Sequence, residues 1–229
     1  MNLIFLNTCH GALHDELKRY VEVVRDKTDI FCFQEAQLYE QSAYQGLLKD
    51  FERYYNEKQQ PNLLLANVIF VRKGIKVSES GTLLKEGSDI GFANYIVLKQ
   101  GDVETIVCNV HGIPHPGHKL DTSERIEQSR VVIDYFSNMK RVIIGGDFNL
   151  LPEAQSVKMF EQYGYRNLIK EYAIKSTRNH IALDQYPDNK QYYADYVFTS
   201  SDIEVLDFVV QAAIVSDHQP LSLTIGAVF

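Results

Sequence analysis

A chain of 229 residues with 45% apolar and 23% charged residues can bury a sizeable core, which excludes wholesale disorder and makes one domain, 1–229, the expectation. A formal net charge of -7 with 23 basic residues offers no general attraction toward a polyanion, which counts against a duplex-binding nuclease while leaving room for a local basic patch. Residues 1–7 hold neither a basic leader nor an apolar stretch of signal-peptide length, and no later segment is apolar enough to span a bilayer, so a cytoplasmic location is expected.

Taken in chain order, short runs rich in Val, Ile, Leu and Phe predict strands at 3–6, 30–33, 63–71, 95–98, 105–110, 142–144, 196–198 and 221–225. A helical pattern fills 13–25. A stronger one begins near Asp121, where Asp121 and Glu124 have capping-box spacing and Ile126, Val132, Ile133 and Phe136 form the apolar face. Residues 112–119, Gly-Ile-Pro-His-Pro-Gly-His-Lys, read as a surface loop too short to separate domains. Many strands with few helices favour sheets packed as a sandwich and covered by helices over a doubly wound parallel fold. Cys9, Cys32 and Cys108 are an odd set without zinc spacing; the last two lie in apolar runs that suit buried free thiols in a reducing compartment.

The strand ends carry the chemistry. Asn7 follows the first strand, Glu35 the second, His111 the run ending at Val110, and Asp147 and Asn149 the run ending at Gly146; Asp195 opens a strand, and Asp217-His218 precedes the last one. Ends of strands gather at the rim of a sandwich, where residues distant in sequence can meet. Four carboxylates, two imidazoles and two carboxamides make an inventory for a hard divalent cation, Mg2+ or Mn2+, together with acid/base groups acting on a phosphate. Taken singly, Gly-Asp-Phe-Asn at 146–149 is also an ordinary turn, Asn7 also a turn cap, and His111 also a packed histidine.

Gly145-Gly146-Asp147-Phe148-Asn149, Ser216-Asp217-His218-Gln219-Pro220-Leu221, Phe33-Gln34-Glu35, Asn109-Val110-His111 and Ala194-Asp195-Tyr196-Val197 occur in an order that resembles the endonuclease/exonuclease/phosphatase superfamily. That group includes deoxyribonuclease I, abasic-site endonucleases, neutral sphingomyelinases, inositol polyphosphate phosphatases and deadenylases. The resemblance runs from Asn7 to Leu221 and implies an α/β (α+β) fold, a four-layer αββα sandwich of two mostly antiparallel sheets flanked by helices. It implies that Glu35 is the principal metal ligand, with Asn7 and Asp217 near the metal or its waters. Asp147 would orient or deprotonate the attacking water and Asn149 would fix its position. His218, oriented by Asp195, and His111 would contact the phosphate, while Arg125 and Gln128 would order the core beside the site.

Two departures accompany the resemblance: Cys9 stands where some nuclease members carry an acidic residue, and Tyr193-Ala194 where several relatives carry a basic one. His10, His14, His115, His118 and His180 are assigned no catalytic part, although His115 and His118, beside Lys119, lie where a loop could touch substrate. The implied reaction is metal-dependent hydrolysis of a phosphodiester or phosphomonoester by a monomer. The acidic balance and the absence of tryptophan favour a small or lipid-derived ester over duplex DNA, with nucleic acid kept as an alternative substrate. The alternative from another class is a catalytically silent module that binds a phosphorylated ligand or protein.

Overall fold

The computed structural model describes residues 1–37, 42–44, 46–60, 63–84, 91–185, 187–188 and 190–226. Among the described residues, twelve strands form two six-stranded sheets. In chain order they are β1 (Asn2–Asn7), β2 (Ile30–Gln37), β3 (Phe51–Gln60), β4 (Leu63–Arg72), β5 (Val77–Leu83), β6 (Phe92–Gln100), β7 (Val103–His111), β8 (Val142–Asp147), β9 (Arg166–Asn167), β10 (Asp195–Thr199), β11 (Val205–Val210) and β12 (Leu221–Ile225). One sheet runs β11-β12-β1-β2-β4-β3 and the other β5-β6-β7-β8-β10-β9. The pairs β1–β2 and β7–β8 are parallel and the remaining pairs antiparallel.

The two parallel pairs are where helices enter, because a parallel connection needs a crossover. Helix α1 (His14–Val24) joins β1 to β2, and α2 (Ser123–Phe136) joins β7 to β8. Their placement explains why the interior strands are apolar on both faces. In β1, Leu3 and Phe5 join the large core between the sheets, while Ile4 and Leu6 pack in a second cluster with Leu17 and Val21 of α1. Val132, Ile133 and Phe136 of α2 cover the other sheet. Each such side chain withdrawn from water is worth about 2 kcal/mol, so these faces hold the four layers together. Phe5 reaches across far enough that a Cβ on Gly145 of β8 would lie 2.7 Å from its ring. Cys32 and Cys108 are buried free thiols in this core.

The start of α2 differs from the reading of the sequence. Thr122, not Asp121, is its N-cap, with Thr122 Oγ1 accepting the Arg125 N–H at 3.2 Å. Asp121 is engaged elsewhere. It caps the start of α3 (Gln155–Gln162), accepting from Gln155 N at 2.6 Å, Ser156 N at 2.9 Å and Ser156 Oγ at 2.5 Å. The buried stripe is also rotated relative to expectation: Arg125, Gln128, Ser129, Val132, Ile133 and Phe136 face inward, and Ile126 is exposed.

Burial opposes ionisation of Asp121, but its hydrogen bonds from Ser156 and Gln155 outweigh that and hold the carboxyl below its ordinary value. A depressed folded value means stabilisation that is complete above the unfolded carboxyl range and lost as the pH falls through the folded one. Asp121→Ala should therefore cost about 1 kcal/mol at neutral pH, a typical capping loss. Urea unfolding at several pH values should show the gap from wild type narrowing as the pH falls below about 4. Among the described residues, no helix is long and apolar enough to cross a membrane.

Candidate active site

The parallel pairs also bring the functional ends together. Asn7 and His111 terminate β1 and β7, Asp147 terminates β8, and in register His111 faces Asp147, which in turn faces Asp195 on β10. Two links then cross between the sheets at this rim. Asn7 Nδ2 donates to Asp147 Oδ2 at 2.8 Å and to Glu35 Oε1 at 3.2 Å, and His111 Nε2 lies 3.4 Å from Glu35 Oε1.

Glu35 owes its direction to an irregularity in β2. The register shifts between Phe33 and Ala36, and Glu35 has φ +52°. Thr8 Oγ1 donates to the Glu35 carbonyl at 3.0 Å and fixes the distortion. Such a bulge turns one side chain out of the alternating pattern, here toward the rim. Left-handed backbone at a non-glycine residue costs about 1–3 kcal/mol and is usually kept where a side chain must be aimed. Burial disfavours the Glu35 carboxylate, yet hydrogen bonds from His10 and His111 hold it well below the usual range; His10 Nε2 is 2.7 Å from Oε2.

Asp147 and Asn149 form a turn and an acceptor site at once. Asp147 Oδ1 accepts the Asn149 N–H at 2.8 Å, and Asn149, at φ +56°, donates through Nδ2 to Gly112 O at 3.1 Å. The turn is possible because Gly146 sits at φ +132° with the Val110 carbonyl only 2.1 Å from where a Cβ would be. Only glycine fits there.

His218 and Asp195 are a buried pair, with Nδ1 2.9 Å from both carboxylate oxygens. Nε2 points toward Asp147 Oδ2 and Asp217 Oδ2, 3.8 Å from each. Burial opposes the imidazolium, but Asp195 and Asp147 outweigh it, and the His218 pKa is pushed up to about 9. Asp217 is ion-paired with Arg178 Nη2 at 2.9 Å; His218 and Arg178 lower its carboxyl against the opposing effect of burial. The segment containing Arg178 lies against the Asp217-His218 turn, with Asn179 Nδ2 donating to Ser216 O at 2.7 Å and Gln219 N to Thr177 O at 2.8 Å. Thr177 Oγ1 accepts the Asp195 N–H at 3.2 Å.

All eight strand-end residues singled out from the sequence thus meet at one rim. Asn7, Glu35, Asp147, Asn149, Asp217 and His218 border a cleft of about 430 Å³, with Asp195 behind His218 and His111 against Glu35. Arg125 and Gln128 stand outside it. Arg125 Nη2 donates to Ile113 O at 3.1 Å and Pro116 O at 2.8 Å, Nη1 donates to Leu120 O at 2.5 Å, and Gln128 Oε1 accepts from Ile113 N at 3.4 Å. The loop at 112–119 is accordingly one wall of the cleft. It presents Lys119, which donates through Nζ to Asn149 Oδ1, and His115.

Sequence reasoning passed over Arg178 altogether and gave His10 no part, although both border the cleft. Arg178 lies in Ser-Thr-Arg-Asn, a polar stretch with no periodicity, and its partner Asp217 is 39 residues away. Only the pairing of the two segments reveals it. His10 sits at φ +56° in the tight turn Cys9–Gly11 after β1, a conformation a sequence pattern does not announce.

The donors around the cleft fit a hard divalent cation. Glu35, Asp147, Asp195 and Asp217 concentrate carboxylates that repel one another, while Asn7 turns its Nδ2 to Glu35 and Asp147 and accepts the Cys9 N–H through Oδ1 at 2.9 Å. The nearby thiol of Cys9 is not a competing soft ligand, because burial and the Asp217 and Glu35 charges push its pKa up to about 12. Among the described residues, Asp147, Asp195 and His218 form a group whose ligand atoms all lie within 4.8 Å of one another.

Residues 5–218 match the Endonuclease/Exonuclease/phosphatase family. No curated protein matches the sequence. An endonuclease/exonuclease/phosphatase of known structure from Bacteroides vulgatus superposes with a TM-score of 0.78 at 16% identity, covering 98% of each chain. A mannosyl-6-phosphatase from Bacteroides thetaiotaomicron gives 0.74 at 19%, covering 99% of this chain and 100% of the other. The human Nocturnin catalytic domain with bound sulfate anion gives 0.74 at 15%, covering 99% and 93%. At such identities these likenesses speak to the fold, the two-sheet sandwich described above.

Proposed function

Because the chain belongs to the Endonuclease/Exonuclease/phosphatase family, we propose that it is a magnesium- or manganese-dependent hydrolase of phosphate esters, acting as a single catalytic domain. The observation that carries this reading is the convergence on one cleft of Glu35 with the Asp217-His218 turn, from opposite ends of the sequence.

Glu35 would be the principal ligand of the cation, with Asn7 and Asp217 close to it or to its waters. The buried Asp147/Asp195/His218 group is a poorer first choice, because both Asp195 oxygens lie 2.9 Å from His218 Nδ1 and both Asp147 oxygens already accept N–H hydrogen bonds. The bound cation would neutralise charge on the phosphoryl oxygens and stabilise the transition state.

The chain's own residues supply the rest. Asp147, its carboxylate fixed by Asn7 and Asn149, takes a proton from the attacking water as the water oxygen bonds to phosphorus and the ester P–O bond breaks. The departing ester oxygen takes a proton from solvent as its bond to phosphorus breaks and leaves as an alcohol, and Asp147 returns the proton it took to solvent. His218, held by Asp195, donates through Nε2 to a phosphoryl oxygen, and His111 and Asn149 approach from other sides. The mannosyl-6-phosphatase among the structural neighbours and the sulfate bound to Nocturnin agree with a phosphate-sized anion as the recognised group.

The reading is tested with p-nitrophenyl esters of phosphate. Chelation should abolish hydrolysis and added Mg2+ or Mn2+ should restore it; His218→Ala should lower kcat on the order of a hundredfold or more. Metal-independent turnover, or full activity in His218→Ala, would reject it.

A further inference from the structure

The hydrolytic mechanism leaves two cations of the cleft without a part, and their placement bears on which phosphate ester fits. Arg178 is 9% exposed, and its Nη2 holds Asp217 at 2.9 Å. Its Nε is buried with no hydrogen-bond partner among the described residues, which is unusual for a group so costly to desolvate. Lys119 comes from the facing loop. Among the described residues its hydrogen bonds go to neutral oxygens, Asn149 Oδ1 and, at 3.4 Å, Pro114 O, and not to a carboxylate.

The positions are fixed. The Lys119 carbonyl accepts Leu151 N at 2.8 Å, and Arg125 holds the loop from behind through Ile113, Leu120 and Pro116. Burial lowers the Lys119 pKa; Asp147 opposes the shift, and the Arg178 and Arg125 charges add to it. Two like charges facing one cleft repel, and an anion placed between them relieves both. Gln191 Nε2 donates to Gly117 O at 2.6 Å and ties this loop to another segment that lines the cleft.

We propose that Lys119 and Arg178 form a clamp for the dianionic end of a phosphomonoester, so that the enzyme removes a terminal phosphate in preference to cutting an internal diester. A diester phosphate carries one negative charge and two substituents, which need two ways out of the cleft. A monoester carries the second charge that a second cation can use, and it needs one way out. Lys119 would touch the phosphoryl oxygens directly. Arg178 would do so with the guanidinium edge that Asp217 leaves uncommitted.

This inference rests on the hydrolase reading of the same site, and the test separates the two. The full chain with Mg2+ is assayed on p-nitrophenyl phosphate and on bis(p-nitrophenyl) phosphate. Wild type should show a kcat/KM at least about tenfold higher on the monoester, the scale of one charge-assisted hydrogen bond. Lys119→Met should lower the monoester-to-diester ratio by about tenfold or more, and Lys119→Arg should recover part of it. A thermal melt accompanies Arg178→Lys, which keeps the charge opposite Asp217 and should shift the same ratio. A wild-type preference for the diester, or equal losses on both esters that leave the ratio unmoved, overturns the clamp while the hydrolase stands. Turnover of neither ester rejects both.

Discussion

Asp147→Asn is expected to lower kcat on the order of a thousandfold while leaving a folded protein, the usual scale for loss of a positioned proton acceptor. The substitution is nearly isosteric, so the comparison isolates the charge. Oδ1 can still accept the Asn149 N–H, which is 2.8 Å away in the native turn. The other side is less forgiving, because the new amide would face Asn7 Nδ2, now 2.8 Å from Oδ2, donor against donor. A mismatch of that kind costs about 1–3 kcal/mol and a few degrees in Tm. Steady-state rates taken well below the lowered Tm separate the two effects. A variant that melts early yet turns over at the native rate would remove Asp147 from the chemistry.

The second large effect belongs to Glu35. Glu35→Gln keeps the shape of the side chain and removes the charge that the bulge in β2 aims into the cleft, and affinity for Mg2+ should fall by about a hundredfold or more. Calorimetric titration measures this directly. A thermal readout checks it independently of turnover, because a ligand that binds only the folded state stabilises it by RT ln(1 + [L]/Kd) and so raises Tm. Magnesium should raise the Tm of wild type and leave that of Glu35→Gln nearly fixed at the same concentration. His10 and His111, which now share the Glu35 carboxylate at 2.7 and 3.4 Å, would lose an ionic partner, so the metal-free variant provides the baseline.

The strands that were legible in the sequence and those that were not differ in a physical way. Every predicted strand is an interior strand of its sheet, from β1 and β2 to β12; most read as continuous apolar runs because both faces are covered, while β12 shows the alternation of a strand buried on one face. The strands that were missed, β3, β5, β9 and β11, are the four sheet edges. Ser78, Glu79 and Ser80 of β5 are exposed, as are Leu206, Asp207 and Val209 of β11, and Glu52 and Arg53 of β3. An edge needs charge and polarity on its free side to avoid pairing with other chains, and that requirement erases the pattern. Helix α3 was missed as well. Its N-cap position is Ala154, which makes no side-chain hydrogen bond, and the capping group is Asp121, 34 residues away from Gln155.

At the cleft the same distinction applies. Asn7, Glu35, His111 and Asp147 could be picked out because each follows a recognisable apolar strand, and Asp195 and His218 because one opens a strand and the other precedes one. Arg178 and His10 have no such neighbour. Their places depend on a turn conformation and on contact between segments far apart in the chain, and neither leaves a local signature.

The account depends on where a divalent ion settles. Crystals soaked in Mn2+ with inorganic phosphate, mapped at the manganese absorption edge, would locate it by anomalous scattering. The prediction is one peak bonded to Glu35, with Asn7 and Asp217 around it and the phosphate lying between that ion and His218. A peak seated on Asp147, Asp195 and His218 with Glu35 bare, or no peak at all at saturating manganese, would contradict it.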